Sequence, residues 1–171
     1  MSDLEDRLAA VEKRLGELED ERRIRELLSR YGYYADACLD DEYLALFTED
    51  GAMDVSRGGT DDPYAVLRWE GREAMRTFLT DRTAAHGDGF AGRSLHLQGN
   101  NLTVTVRGDT AVAAGYSFIF HQDGSRLRLL SASTNEWRLV KADGEWRIAV
   151  RKRRMLGAPD TAEVLTSTER A

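Results

Sequence analysis

Cysteine is almost missing from this 171-residue chain: Cys38 stands alone. That excludes an internal disulfide and any zinc site built from thiolates within the chain. Proline is nearly as scarce, with only Pro63 and Pro159, and no low-complexity tract separates one segment from another. No uncharged apolar run approaches the roughly 18 residues of a membrane span, so no membrane association is expected. Lysine is rare too: Lys13, Lys141 and Lys152 accompany 21 arginines. The formal net charge of −6 argues against a protein that grips phosphate backbones, so no nucleic-acid partner is expected. The first residues, MSDLEDRL, are charged where a signal peptide would be apolar, and the expected location is cytoplasmic.

What is present fits one folded domain. Apolar residues make up 42% and charged residues 32%, too apolar for a disordered chain. A chain of this size buries roughly two-thirds of its unfolded surface, enough for a core with a pocket.

Leu4, Leu8, Val11, Leu15 and Leu18 are spaced 4, 3, 4, 3, the a/d seam of a coiled coil over about two heptads. Apolar positions continue at Ile24, Leu27, Leu28, Tyr31 and Tyr34, predicting one helix to about residue 37 with two burial partners. Residues 1–22 read as a helical extension that self-associates, and residues 23–171 as the body of the domain. Asp40 to Phe47 reads as a second helix, Glu49-Asp50-Gly51 as a turn, and Ala52 to Val55 as a short strand. Residues 56–62 and the glycine-rich stretch 86–92 read as loops, with a third helix opening at Gly71-Arg72-Glu73 between them.

After residue 93 the period changes to two. Alternating runs around Leu102, Val112 to Phe120, Leu127 to Leu139 and Trp146 to Val150 are joined by short turns such as Ala142-Asp143-Gly144-Glu145. Helices first and antiparallel strands after predict an α+β domain, a curved sheet packed against about three helices around a pocket.

No phosphate loop, HExxH or GxSxG motif occurs, so no cofactor is expected. Of the histidines, His86 falls in a glycine-rich loop, while His96 and His121 fall near strand ends where neighbouring strands could bring them together. Two histidines without matched carboxylates make only a partial metal site, and no metal is expected. Asp36 sits at the C-terminal end of an apolar helical segment, where both the dipole and burial disfavour a carboxylate. It is either an ordinary solvated acid or the partner of an imidazole, fixing its tautomer and leaving the other ring nitrogen as a base. In the run Arg151 to Arg154, strand alternation puts Arg151 and Arg153 on one face, Lys152 and Arg154 on the other.

Four stretches, in order, carry a resemblance: Ile24 to Asp36 (IRELLSRYGYYAD), Tyr43 to Val55 (YLALFTEDGAMDV), Ser94 to Ser117, and Asn135 to Leu156. Together they resemble the SnoaL-like branch of the nuclear transport factor two-like superfamily. The resemblance implies a cone-shaped α+β fold and, for many members, cofactor-independent lyases or isomerases of the scytalone dehydratase, bile-acid dehydratase or dehydrochlorinase type. It matches Asp36 and His96 to a His–Asp dyad that abstracts a carbon-bound proton from a small, largely apolar cyclic substrate. Tyr31, His121 and Arg151 match assisting groups, and Tyr34, Val55 and Tyr116 are expected in the substrate pocket. Val55 stands where scytalone dehydratase carries a tyrosine. The superfamily also holds small-molecule binding proteins and the structural β subunits of ring-hydroxylating dioxygenases. Homodimers or homotrimers are common in it.

Overall fold

The structure is a computed structural model describing residues 3–56, 67–86, 91–98 and 101–171, with the side chains of residues 82–86 outside the description. His86 as a side chain and most of the two expected loops therefore lie outside the described residues.

The chain opens with α1 (Asp3–Asp36), followed by α2 (Asp40–Ala45), β1 (Phe47–Asp54), β2 (Arg68–Glu70) and α3 (Arg72–His86). Then come β3 (Ser94–Gln98), β4 (Thr103–Arg107), β5 (Thr110–Asp123), β6 (Arg126–Ala142), β7 (Glu145–Met155) and α4 (Thr161–Leu165). The strands form one curved, open sheet in the order β2-β1-β7-β6-β5-β3, with β4 also paired to β5. This is the expected α+β cone.

Two local expectations differ from the structure. The sheet is not antiparallel throughout, because β1 runs parallel to β7. Residues 49–51 are not a free turn. They belong to β1, whose register against β7 is interrupted between Phe47 and Ala52. A strand parallel to a distant partner carries no local turn signal, since its partner lies about a hundred residues away in the chain. The β6–β7 hairpin does follow its local chemistry: Asp143 and Gly144 both take positive φ, 54° and 79°, as a two-residue loop of this kind requires.

Only the second half of α1 enters the core. Ile24, Leu27, Leu28, Tyr31 and Ala35 are buried against Tyr43, Leu44, Phe47, Trp137 and Ile148. Leu4 to Leu18 remain between 48% and 72% exposed. The transition is marked by Asp20, whose carboxylate accepts hydrogen bonds from Lys141 Nζ at 2.8 Å and Trp146 Nε1 at 2.9 Å. The helix stops after Asp36 because Cys38 takes φ 54°, and the N–H of Leu39 returns to the carbonyl of Tyr34 at 2.9 Å.

Gly32 sets how closely α1 lies on β3. A Cβ there would sit 2.9 Å from the carbonyl oxygen of His96, closer than side chains tolerate. A glycine inside a helix is unfavourable by roughly 1 kcal/mol relative to alanine, so close approach is the compensating gain.

Candidate functional site

β3 is the sheet edge against which the end of α1 packs. Asp36, the last residue of α1, therefore meets His96 in mid-strand, 60 residues on. The backbone N–H of His96 donates to both carboxylate oxygens, at 2.9 and 2.8 Å, and ring Nδ1 lies 2.5 Å from Oδ1. An anion at a helix C-terminus is unfavourable, and these donors compensate it. The side chains are 12% and 19% exposed. An ionised Asp36 holds the proton on Nδ1 and leaves Nε2 as the basic nitrogen.

His96 lines a cavity of about 190 Å³ between the concave face of the sheet and the helices. Tyr31, Val55, Phe78, Arg151 and Arg153 also face it. The guanidinium of Arg151 lies 5.0 Å above the ring centre of Tyr31, and its Nε donates to Asn135 Oδ1 at 3.0 Å. Tyr43 donates its hydroxyl proton to the hydroxyl oxygen of Tyr31, making a buried pair of phenols at the cavity wall. Arg153 donates from Nε to Ser133 Oγ at 3.0 Å, and its Nη2 reaches Ser131 Oγ. Burial and then the neighbouring Arg151 cation lower the Arg153 guanidinium to about 10.

The structure separates the remaining expected site residues. His121 pairs with Ser94 in the β3–β5 ladder, and its Nδ1 lies 3.0 Å from Ser94 Oγ. Since His96 pairs with Ile119, His121 is on the same face two residues along, outside the cavity lining. Two residues expected in the pocket lie elsewhere. Tyr34 is three residues beyond Tyr31, and a helix turns it about 60° away. It faces an outer groove beside Arg30, Glu42 and Trp146. Tyr116 neighbours the buried Ser117, and alternation places it on the opposite, convex face, 37% exposed.

Tyr43, Arg153 and Gly32 belong to this arrangement and were not singled out as site residues from the sequence. Parity linked Arg153 to Arg151, and a lone glycine inside an apolar helical stretch signals a close approach. Tyr43 reads simply as core. Among the described residues, no three or more His, Cys, Asp or Glu side chains converge as a metal site.

The sequence profile of the SnoaL-like domain family matches residues 16–152, four-fifths of the chain. The chain belongs to the SnoaL-like family. Among solved structures it is similar to an NTF2-like protein with a cystatin-like fold from Novosphingobium aromaticivorans. The two share 30% identity with a TM-score of 0.78, over 92% of this chain and 96% of that one. Two further structures from the same organism share the fold. One is a candidate scytalone dehydratase, at 22% identity and TM-score 0.60, covering 81% of this chain and 85% of that one. The other is the β subunit of a candidate aromatic-ring-hydroxylating dioxygenase, at 21% and 0.64, covering 81% and 90%. No curated protein matches the chain in sequence. No helix among the described residues is long and apolar enough to cross a membrane.

Proposed function

We propose that this SnoaL-like protein is a cofactor-independent lyase or isomerase of the dehydratase type, with the His96–Asp36 pair as its base. One observation carries the reading: an imidazole fixed through Nδ1 by a carboxylate at 2.5 Å, at the wall of a cavity between the sheet and the helices. The fold it shares with a candidate scytalone dehydratase is consistent with it.

The chemistry follows from these groups. Nε2 of His96 takes a proton from carbon adjacent to a carbonyl of a small cyclic substrate. The C–H electron pair moves into the new C–C double bond, and the carbonyl π pair moves onto oxygen as an enolate. The Tyr31 hydroxyl, itself accepting from Tyr43, supplies an O–H donor for that oxygen. In an elimination, the enolate reforms the carbonyl and expels hydroxide from the β carbon. The imidazolium returns its proton to hydroxide, releasing water. In an isomerisation, the proton returns to a different carbon. General-base catalysis of this kind contributes about 10²–10⁴-fold.

The test is hydrogen–deuterium exchange, by NMR in D2O, into a panel of monocyclic β-hydroxy ketones and enones. His96→Gln is expected to lose at least a hundredfold in exchange and Asp36→Asn at least tenfold, with both proteins folded. Exchange by His96→Gln at the native rate removes the base from the proposal. A purely structural subunit, the alternative that the β-subunit relative suggests, would catalyse no exchange and would lose nothing with either substitution.

A further inference from the structure

The floor of the cavity is rich in donors and poor in acceptors. Arg151 and Arg153 sit on neighbouring positions of one face of β7, and both line the cavity. Neither has a carboxylate partner among the described residues. The acceptors within reach are Asn135 Oδ1, two serine hydroxyls and the sulfurs of Met53 and Met155. Asp36 is committed to His96. Asn135 adds to the excess, because its amide nitrogen is fully buried without an acceptor among the described residues. Two cations this close repel each other, and burial strips water from them. An anion supplied from outside would satisfy both, and planar guanidinium forks match a carboxylate.

We infer that the ligand of this cavity is a small monocyclic carboxylate, its carboxylate held by Arg151 and Arg153 and its ring against Tyr31, Val55 and Phe78. This names the substrate class of the proposed active site and rests on that reading for its catalytic meaning, though not for binding. The size agrees: about 190 Å³ accommodates one ring and a carboxylate, since a cavity of about 150 Å³ holds benzene.

The experiment is isothermal titration with benzoate, phenylacetate and cyclohexanecarboxylate, against the neutral amide of each. At least one acid is expected to bind tenfold or more tightly than its amide. Arg153→Gln and Arg151→Gln should each weaken that acid tenfold or more, with the melting temperature of Arg153→Gln unchanged or higher. His96→Gln should bind it within about threefold of the native protein, so lost exchange with retained binding separates the base from the anion site. Amides binding as well as the acids, or Arg153→Gln binding at native affinity, overturns the inference and leaves the base untouched.

A second observation stands independently on the other end of the molecule. In the exposed first half of α1, Leu8 and Leu15 fall at a, and Leu4, Val11 and Leu18 at d. The flanking e positions are Glu5, Glu12 and Glu19, and the g positions between them Arg7 and Arg14. In a parallel pair, g meets e of the next heptad on the other chain, giving Arg7–Glu12 and Arg14–Glu19 contacts of opposite sign. An antiparallel pair would set arginine against arginine and glutamate against glutamate. The Arg14–Glu17 contact within the helix, at 3.1 Å, is exposed and contributes little against such an exchange. At about 100° per residue, this seam centres roughly 195° from the stripe Ile24 to Ala35 that packs on the sheet. Two cones would therefore lie on the outer sides of the pair.

The geometry assigns this face to the same helix of a second copy, paired in parallel. Leu4→Cys and Leu18→Cys are made separately in full-length protein carrying Cys38→Gly, a residue suited to φ 54°. Each is expected to form a covalent dimer with itself on oxidation, while the two mixed form none between position 4 and position 18. Leu8→Asp with Leu15→Asp should reduce the native solution mass to that of one chain. A disulfide between positions 4 and 18, or a mass unchanged by the double substitution, overturns the assignment.

Discussion

The two faces of β7 carry the same kind of charge and treat it in opposite ways. On the outer side, Arg154 donates from Nη1 and Nη2 to Asp54 at 2.9 and 3.0 Å and from Nε to Asp160 at 2.9 Å. Lys152 reaches Asp160 at 2.7 Å. On the inner side, Arg151 and Arg153 have neutral acceptors and each other for company. Buried charge is ordinarily paired. The outer cations hold the strand ends together. The inner ones keep a donor surface open at the expense of stability, as functional sites often do.

The largest effect that would sharpen this contrast comes from Arg154→Met. It leaves Asp54 without its guanidinium partner and is expected to lower stability by about 3 kcal/mol, read by urea denaturation at pH 7. A loss under about 1 kcal/mol would mean that the outer network is no more than a surface ion pair.

The next effect is in acid. Burial raises the Asp54 carboxyl, but hydrogen bonds from Arg154 and Ser56 lower it further, to about 2 against an ordinary 3.8. A carboxylate lowered on folding contributes stability that is complete above the unfolded value and lost as pH falls through the folded one. About 2 kcal/mol should therefore disappear between pH 4 and pH 2, and Asp54→Asn should flatten that part of the curve. Asp160, lowered by Lys152 and Arg154 against its own burial, acts in the same direction.

The smallest effect has the opposite sign. Because folding lowers the Arg153 guanidinium, its cation is disfavoured in the native state at neutral pH, and Arg153→Gln relieves that. The expected change is a gain of up to about 1 kcal/mol, measured by the same denaturation. A loss comparable to that of Arg154→Met would erase the difference between the two faces.

Much of this was legible because it is local. The long first helix, the alternating strands after residue 93 and the Asp143-Gly144 turn follow from periods of 3.6 and 2 and from residues that accept positive φ. Parity alone put Arg151 and Arg153 together. The resemblance placed Asp36 opposite His96, which no local pattern could do across 60 residues. Tyr34 and Tyr116, expected in the pocket, face away from it for one reason. A helix and a strand each turn neighbours away at a fixed angle, and only the packing partner decides which side becomes the cavity.

The sequence by itself therefore determined the long first helix and the strands after residue 93, the family resemblance, the two stripes of α1 and the pairing of charges by face. Tertiary structure decided what those faces meet. It set β1 parallel to β7, brought the C-terminus of α1 onto the edge strand at Gly32, and gave carboxylates to one side of β7 and, among the described residues, none to the other. Side-chain direction is fixed by local backbone geometry, whereas desolvation and charge pairing depend on groups distant in the chain.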